Sequence, residues 1–173
     1  KRQMLLFGEE GQAALKEASV LVAGAGGLGS PVACYLAVAG VGHIRIADHD
    51  RVERSNLNRQ ILHGEQDIGV LKVDSARETL LWLNPEIEID PRAVTIDEGN
   101  IRSLVDGVDL IVDAMDNYPT RYLLNGAAID RSIPLIHGAI HGLCGQATTI
   151  IPGRTACLRC MFPHPPPKET FPV

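Results

Sequence analysis

The stretch "VLVAGAGGLGSPVACYL", residues 20–36, constrains what this chain can fold into more than any other. An apolar, β-branched run ends in Gly24, Gly26 and Gly29, and a further apolar run with helical spacing follows. A strand that turns through glycines into a helix N-terminus offers backbone N–H groups to a phosphate or pyrophosphate. The glycines do not say which nucleotide is held, so NAD for redox chemistry and ATP for activation both fit. Residues 19–42 are apolar enough to imitate a membrane span, but glycines and Pro31 interrupt them, and a strand, a turn and a helix account for every part. The N-terminal residues are amphipathic and lack the apolar centre of a signal peptide.

The alternation continues along the chain. Strand-like runs fall at residues 20–24, 43–48, 87–90, 110–115, 134–140 and 146–151. Helical spacing falls at 28–39, 70–83, 100–105 and 120–131, the last beginning after Pro119. This order predicts an α/β fold of the Rossmann-like, doubly wound kind, a mostly parallel sheet with helices on both faces and ligands at the carboxyl ends of the strands. With 173 residues and 45% hydrophobic content, one such domain is expected over residues 1–155. Residues 156–173 begin a further segment, and the opening Lys1 and the proline-rich "FPHPPPKETFPV" suggest part of a longer protein. A net charge of −5 argues against a broad nucleic-acid surface, because phosphate contacts need clustered Lys and Arg. Four cysteines are too few for a disulfide scaffold, which points to a reducing, cytoplasmic setting with no membrane partner.

The strand ends bring polar groups to one edge. Gly24 to Gly29 follow the first strand, Asp48 and Asp50 the second, and Asp113, Asp116 and Asn117 the fourth. An acidic residue at Asp48 suits ribose hydroxyls of either nucleotide. The segment "DHDRVERSNLNRQILH" then adds Asn56, Arg59 and Gln60, and Lys72 follows near a helix start. Two cations suit a triphosphate better than a nicotinamide, since Arg presents a planar fork to phosphate oxygens and Lys a compact charge. Asp116 suits the Mg²⁺ that accompanies such a nucleotide. Taken singly, Arg59 and Lys72 read as solvated surface charges, and Asp116 as the cap of the helix near Thr120. Cys157 and Cys160, in "TACLRCMF", supply two of the four thiolates of a tetrahedral Zn²⁺ site; a redox pair, or a site completed by His164, is the alternative. Cys34 and Cys144 read as small buried hydrophobes.

"GAGGLGS", "DHDRVERSNLNRQ", "DIGVLKV", "DNYPTRYLLN", "GAIHGLCGQ" and "CLRC" stand in an order and spacing that resemble the ThiF/MoeB/HesA family, relatives of the ubiquitin-activating enzymes. The resemblance runs from Arg2 to the proline run. It implies an adenylyltransferase that uses ATP and Mg²⁺ to activate the Gly-Gly carboxylate of a ubiquitin-fold sulfur-carrier protein, forming an acyl adenylate and pyrophosphate before sulfur transfer. It implies Gly24, Gly26, Gly27 and Gly29 in the nucleotide loop, Asp48 at the ribose, and Asn56, Arg59 and Lys72 around the phosphates. Asp50, Ser55, Gln60 and Asn117 belong to the same nucleotide-binding set. Asp116 matches the aspartate essential for adenylation and for Mg²⁺, and Arg2 an arginine that reaches the triphosphate of the other subunit in a homodimer. Zinc on Cys157 and Cys160, with a second ligand pair outside this chain, and a sulfur-donor protein are further expectations. Relatives carry an aromatic residue where this chain has Leu143 and Cys144. A tRNA-modifying, ATP-dependent dehydratase branch shares the "NRQ" element, and an NAD-dependent oxidoreductase is the other alternative.

Overall fold

Both faces of a central sheet carry the core, as the alternation of buried residues dictates. In the computed structural model, which describes residues 2–164, helix α1 (Met4–Glu17) leads into strand β1 (Ser19–Ala23), whose four residues from Val20 are all buried. Val20 and Val22 pack on one side with Ala33, Ala37, Val73 and Leu80, while Leu21 and Ala23 pack on the other with Leu104, Leu124, Ala128 and Leu158. Helix α2 (Gly29–Ala39) and strand β2 (His43–Ala47) follow, then helix α3 (Lys72–Leu83), strand β3 (Glu88–Arg92) and the single turn α4 (Ile101–Leu104). Strand β4 (Leu110–Asp113), helix α5 (Tyr118–Arg131), strands β5 (Leu135–His141) and β6 (Cys144–Ile150), and the short α6 (Leu158–Met161) complete the chain.

The strand order is β3-β2-β1-β4-β5-β6; the first five strands are parallel, and β6 runs antiparallel to β5. This is the doubly wound α/β fold expected from the sequence, and its order reverses beside β1, where such sheets open a ligand crevice at their carboxyl edge. Among the described residues no helix is long and apolar enough to cross a membrane.

Several boundaries differ from the sequence reading for identifiable reasons. The helix expected from residue 70 starts at Lys72, because Leu71 forms a bridge with Arg51. Strand β4 stops at Asp113 rather than 115, because the Asp113 carboxylate accepts the Met115 N–H at 3.0 Å. Strand β6 begins two residues before the expected 146, since Gly142 at φ 57° and Leu143 make a tight connection from β5. Helix α1 bends at Gly8, whose φ of 69° lies outside the helical region, and none of its residues is buried.

Candidate functional site

The site begins with two glycines whose backbones nothing bulkier can replace. Gly24 has φ 100°, and a Cβ there would lie 2.9 Å from the Ala114 carbonyl oxygen. A Cβ on Gly29, the first residue of α2, would overlap the Gly24 carbonyl oxygen outright. The turn can therefore fold tightly against the Ala114 backbone only because both side chains are missing. Helix α2 opens directly after this turn with no side-chain cap, which places its positive dipole end beside the glycines.

Side chains from the connection between β2 and α3 lock this loop. One Asp48 oxygen accepts the Ala25 N–H at 2.8 Å and the other accepts the Asp50 N–H at 2.9 Å. Buried His63 spans from Ser75 Oγ on α3, 2.9 Å from Nδ1, to the Ala25 carbonyl, 3.1 Å from Nε2. Burial lowers the His63 pKa from its ordinary value, and the positive Lys72 adds to that, against opposing contributions from the Ala25 carbonyl, Asp67 and Asp48.

Around the loop lies a cavity of about 630 Å³ lined by Gly24, Gly26, Gly27, Asp48, Asp50, Asn56, Arg59, Gln60, Lys72, Asp116 and Asn117. The structure thus brings together most of the residues singled out from the sequence. Lys72 is not a solvated surface charge: it is 5% exposed, and its Nζ donates to Asp50 Oδ2 at 2.7 Å. Arg59 is exposed and lies along Gly27, its Nη1 donating to the Ser55 carbonyl at 3.1 Å. Asp116 is exposed and does not cap α5; Asn117 does, accepting the Thr120 N–H at 3.0 Å. Gln60 is 3% exposed, and its Oε1 has no hydrogen-bond partner among the described residues. A buried acceptor left open on a cavity wall fits a hydroxyl-bearing ligand, because leaving it unpaired costs about 1–3 kcal/mol.

Three expected residues stand off this wall. Ser55 contributes its carbonyl to Arg59 and points its hydroxyl at Glu53, 3.3 Å away. Gly29 packs against Gly24 instead of lining the cavity. Arg2 lies at the opposite end of α2 from the glycine loop, since the neighbouring Gln3 donates to the Ala39 carbonyl at 2.7 Å.

Sequence reasoning missed Arg121 and His137. Arg121, on α5, is 5% exposed and aims Nε and Nη2 at the Met115 carbonyl, at 3.1 and 2.6 Å, with its guanidinium 5.1 Å from the Tyr118 ring. Its place in "DNYPTRYLLN", one turn after a helix cap, is the signal that could have found it. It lines both this cavity and a second cavity of about 850 Å³, which is bounded by Asp116, Asn117, Ile140, Cys144 and Gln146. Cys144 is exposed on that wall, which corrects the expectation of a buried small hydrophobe; β6 is an edge strand with solvent beyond it.

Cys157 and Cys160 face each other with their sulfurs 3.6 Å apart. Two thiolates on one tetrahedral zinc, each about 2.3 Å from the ion, stand at about that separation. Burial raises the Cys157 pKa, but hydrogen bonding from Cys160, the Arg159 backbone and Asn125 outweighs it and holds the thiol below its ordinary value. The pair therefore has the spacing of metal ligands. His164, the other candidate ligand, is exposed.

A doubly wound sheet with a glycine turn, paired cations and acidic residues at its switch point defines a nucleotide-binding α/β domain. The ThiF family matches residues 1–173, and the chain belongs to that family. It is 47% identical over 165 residues to the SAMP-activating enzyme E1 of Haloferax volcanii, covering 95% of this chain and 61% of that protein. It is 49% identical over 171 residues to the adenylyltransferase and sulfurtransferase MOCS3 of Culex quinquefasciatus, covering 98% of this chain and 39% of that protein. The chain thus spans less than two thirds of the length of either relative. Among solved structures, E. coli MccB with AMPCPP and MccA superposes with a TM-score of 0.84 at 29% identity, over 94% of this chain and 51% of that one.

Proposed function

We propose that this chain is the nucleotide-binding part of an adenylyltransferase that uses ATP to activate the C-terminal Gly-Gly carboxylate of a ubiquitin-like sulfur carrier. The observation that carries the reading is the company Asp116 keeps. It stands between a cavity holding Lys72 and Arg59 beside the glycine turn and a second cavity roomy enough for an extended peptide tail. The names of the Haloferax and Culex relatives support the same activity. The buried cation Lys72 beside the glycine turn suits a triphosphate better than a neutral nicotinamide.

The chemistry asks little covalent work of the protein. A carboxylate oxygen of the carrier attacks the α-phosphorus of ATP, the bond to the β-phosphate oxygen breaks, and acyl adenylate and pyrophosphate result. The α2 N-terminus and Lys72 hold phosphate oxygens, Arg59 offsets charge growing on the leaving group, and Asp48 and the open Gln60 oxygen receive sugar hydroxyls. Asn117 fixes the start of α5 and so the direction in which Asp116 points. Mg²⁺ held by Asp116 would neutralise phosphate charge.

Three further elements belong to this reading. Residues 1–155 form the adenylation domain, and residues 156–173 begin a crossover segment, of which 165–173 lie outside the described residues. Cys157 and Cys160 hold half of a structural zinc site. The protein works as a homodimer, with Arg2 serving the partner's triphosphate, which accords with the distance of Arg2 from its own glycine loop. A sulfur-donor protein then acts on the acyl adenylate, and the setting is the cytoplasm.

The test is Mg²⁺-dependent exchange between pyrophosphate and ATP in the full-length protein, with and without a Gly-Gly-ended carrier. We expect exchange only with the carrier, from a dimeric preparation that contains zinc. Tight NADH binding without exchange would overturn the reading.

A further inference from the structure

Met115, the residue before Asp116, has both of its peptide groups held by side chains. Arg121 holds its carbonyl oxygen, and Asp113 Oδ1 accepts its N–H at 3.0 Å. The second of these anchors does not end at Asp113. Asp113 Oδ2 accepts from His137 Nδ1 at 2.6 Å, and the two side chains are 0% and 1% exposed. On the far side of the ring, His137 Nε2 lies 3.2 Å from Gln146 Nε2. Gln146 is exposed and lines the second cavity, the same cavity that Asp116 borders.

In the tautomer that donates from Nδ1 to the Asp113 carboxylate, Nε2 is an acceptor, and the Gln146 amide N–H₂ meets it. Every polar atom of the His137 ring is then used.

We propose that Gln146, His137 and Asp113 form a positioning relay that orders the Asp116 turn from the wall of the second cavity. A substrate tail lying in that cavity would shield Gln146 from water, and so favour the ordered turn where the carboxylate is needed. The role assigned to Asp116 rests on the adenylation reading; the relay itself is a statement about how the turn is held. Removing the relay leaves the ATP contacts in place but lets the Asp116 carboxylate wander, so turnover and the Mg²⁺ requirement should suffer while metal-free nucleotide binding does not.

The experiment compares Gln146→Ala, His137→Asn, His137→Ala and the Gln146→Ala/His137→Asn double variant in the full-length enzyme. Three quantities are read: kcat for pyrophosphate exchange, the Mg²⁺ concentration for half-maximal binding of a non-hydrolysable ATP analogue, and analogue affinity without metal. An asparagine amide can still donate to Asp113 but cannot reach Gln146, so His137→Asn should match Gln146→Ala, and the double variant should be no worse than either. We expect His137→Ala to lose about 10- to 100-fold in kcat and in Mg²⁺ dependence, as misplacing a reacting-centre group by about 1 Å does, with KM for ATP and metal-free affinity unchanged. Gln146 is exposed on an edge strand, so its variant folds whether or not His137→Ala does. Wild-type kcat and Mg²⁺ dependence in Gln146→Ala would overturn the relay. So would strictly additive losses, or loss of metal-free binding in proportion to kcat. A wild-type enzyme without exchange defeats the functional reading instead, and the analogue measurements still decide the relay.

Discussion

The two walls of the site are built by different means. On the β1–α2 side glycine sterics come first: two missing side chains let Gly24 and Gly29 close a turn, which Asp48 and His63 then tie down at Ala25. On the β4–α5 side the backbone is ordinary, and side chains from separate elements hold the turn: Asp113 and Arg121 directly, His137 and Gln146 behind Asp113. A wall made by backbone sterics tolerates no added atom, whereas one made by a hydrogen-bond relay can be loosened in steps. On the proposed function, binding belongs to the first and alignment of the chemistry to the second. Substitutions on the two sides should therefore fail in different ways.

The largest separation of the two behaviours is expected at Asp116. Asp116→Ala removes an exposed carboxylate that supports no packing, so we expect exchange activity to fall by about 100- to 1,000-fold, the usual effect of losing one charge-stabilising group. The melting temperature and metal-free nucleotide affinity should stay at wild-type values. An activity loss matched by a fall in melting temperature would mean that the turn is structural, and the contrast between the walls would collapse.

The opposite signature is expected at Gly29. Alanine is the better helix former by about 1 kcal/mol, but at this position its Cβ would overlap the Gly24 carbonyl oxygen, and overpacking of that kind costs typically about 1–3 kcal/mol and occasionally more. Sterics should win, so Gly29→Ala loses stability and nucleotide affinity together. Gly126, inside α5 with nothing within 4 Å of the point where a Cβ would stand, is the control: Gly126→Ala should gain about 0.5–1 kcal/mol. Unfolding by denaturant reads both. Equal effects at the two glycines would show that the tight approach at Gly29 does not limit the fold.

The same difference explains what the sequence disclosed. Strand alternation and the glycine spacing are local signals, and they point to the sheet, the crevice and Asp48, whereas Asn56, Arg59 and Lys72 stand out through their charge and the family resemblance. The relay joins residues 24 and 9 positions apart through side chains, and no short pattern records that. Arg121 escaped because a helix arginine is ordinarily a surface charge, and only the approach of the Met115 carbonyl buries it. Cys144 was misjudged because a strand residue shows its exposure only once the edge of the sheet is known. Gly29 was assigned to the ligand although its work is done against Gly24, a distinction that spacing cannot make.

The smallest effect tests how firmly side chains tie the loop wall to α3. His63 is neutral in the fold, donating from Nε2 to the Ala25 carbonyl and accepting the Ser75 hydroxyl at Nδ1. Its folded pKa lies below the ordinary 6.5, so as pH falls the unfolded chain binds the proton first. Stability from this residue is therefore complete above 6.5 and is lost as pH falls from there through the lower folded value. His63→Gln can donate to the same carbonyl and does not titrate. The difference in stability between wild type and His63→Gln should thus narrow as pH drops between about 7 and 5, while every other titrating group cancels in the comparison. Parallel pH profiles for the two proteins would show that His63 is not the residue whose protonation loosens the loop, and would leave Asp48 as its principal tie.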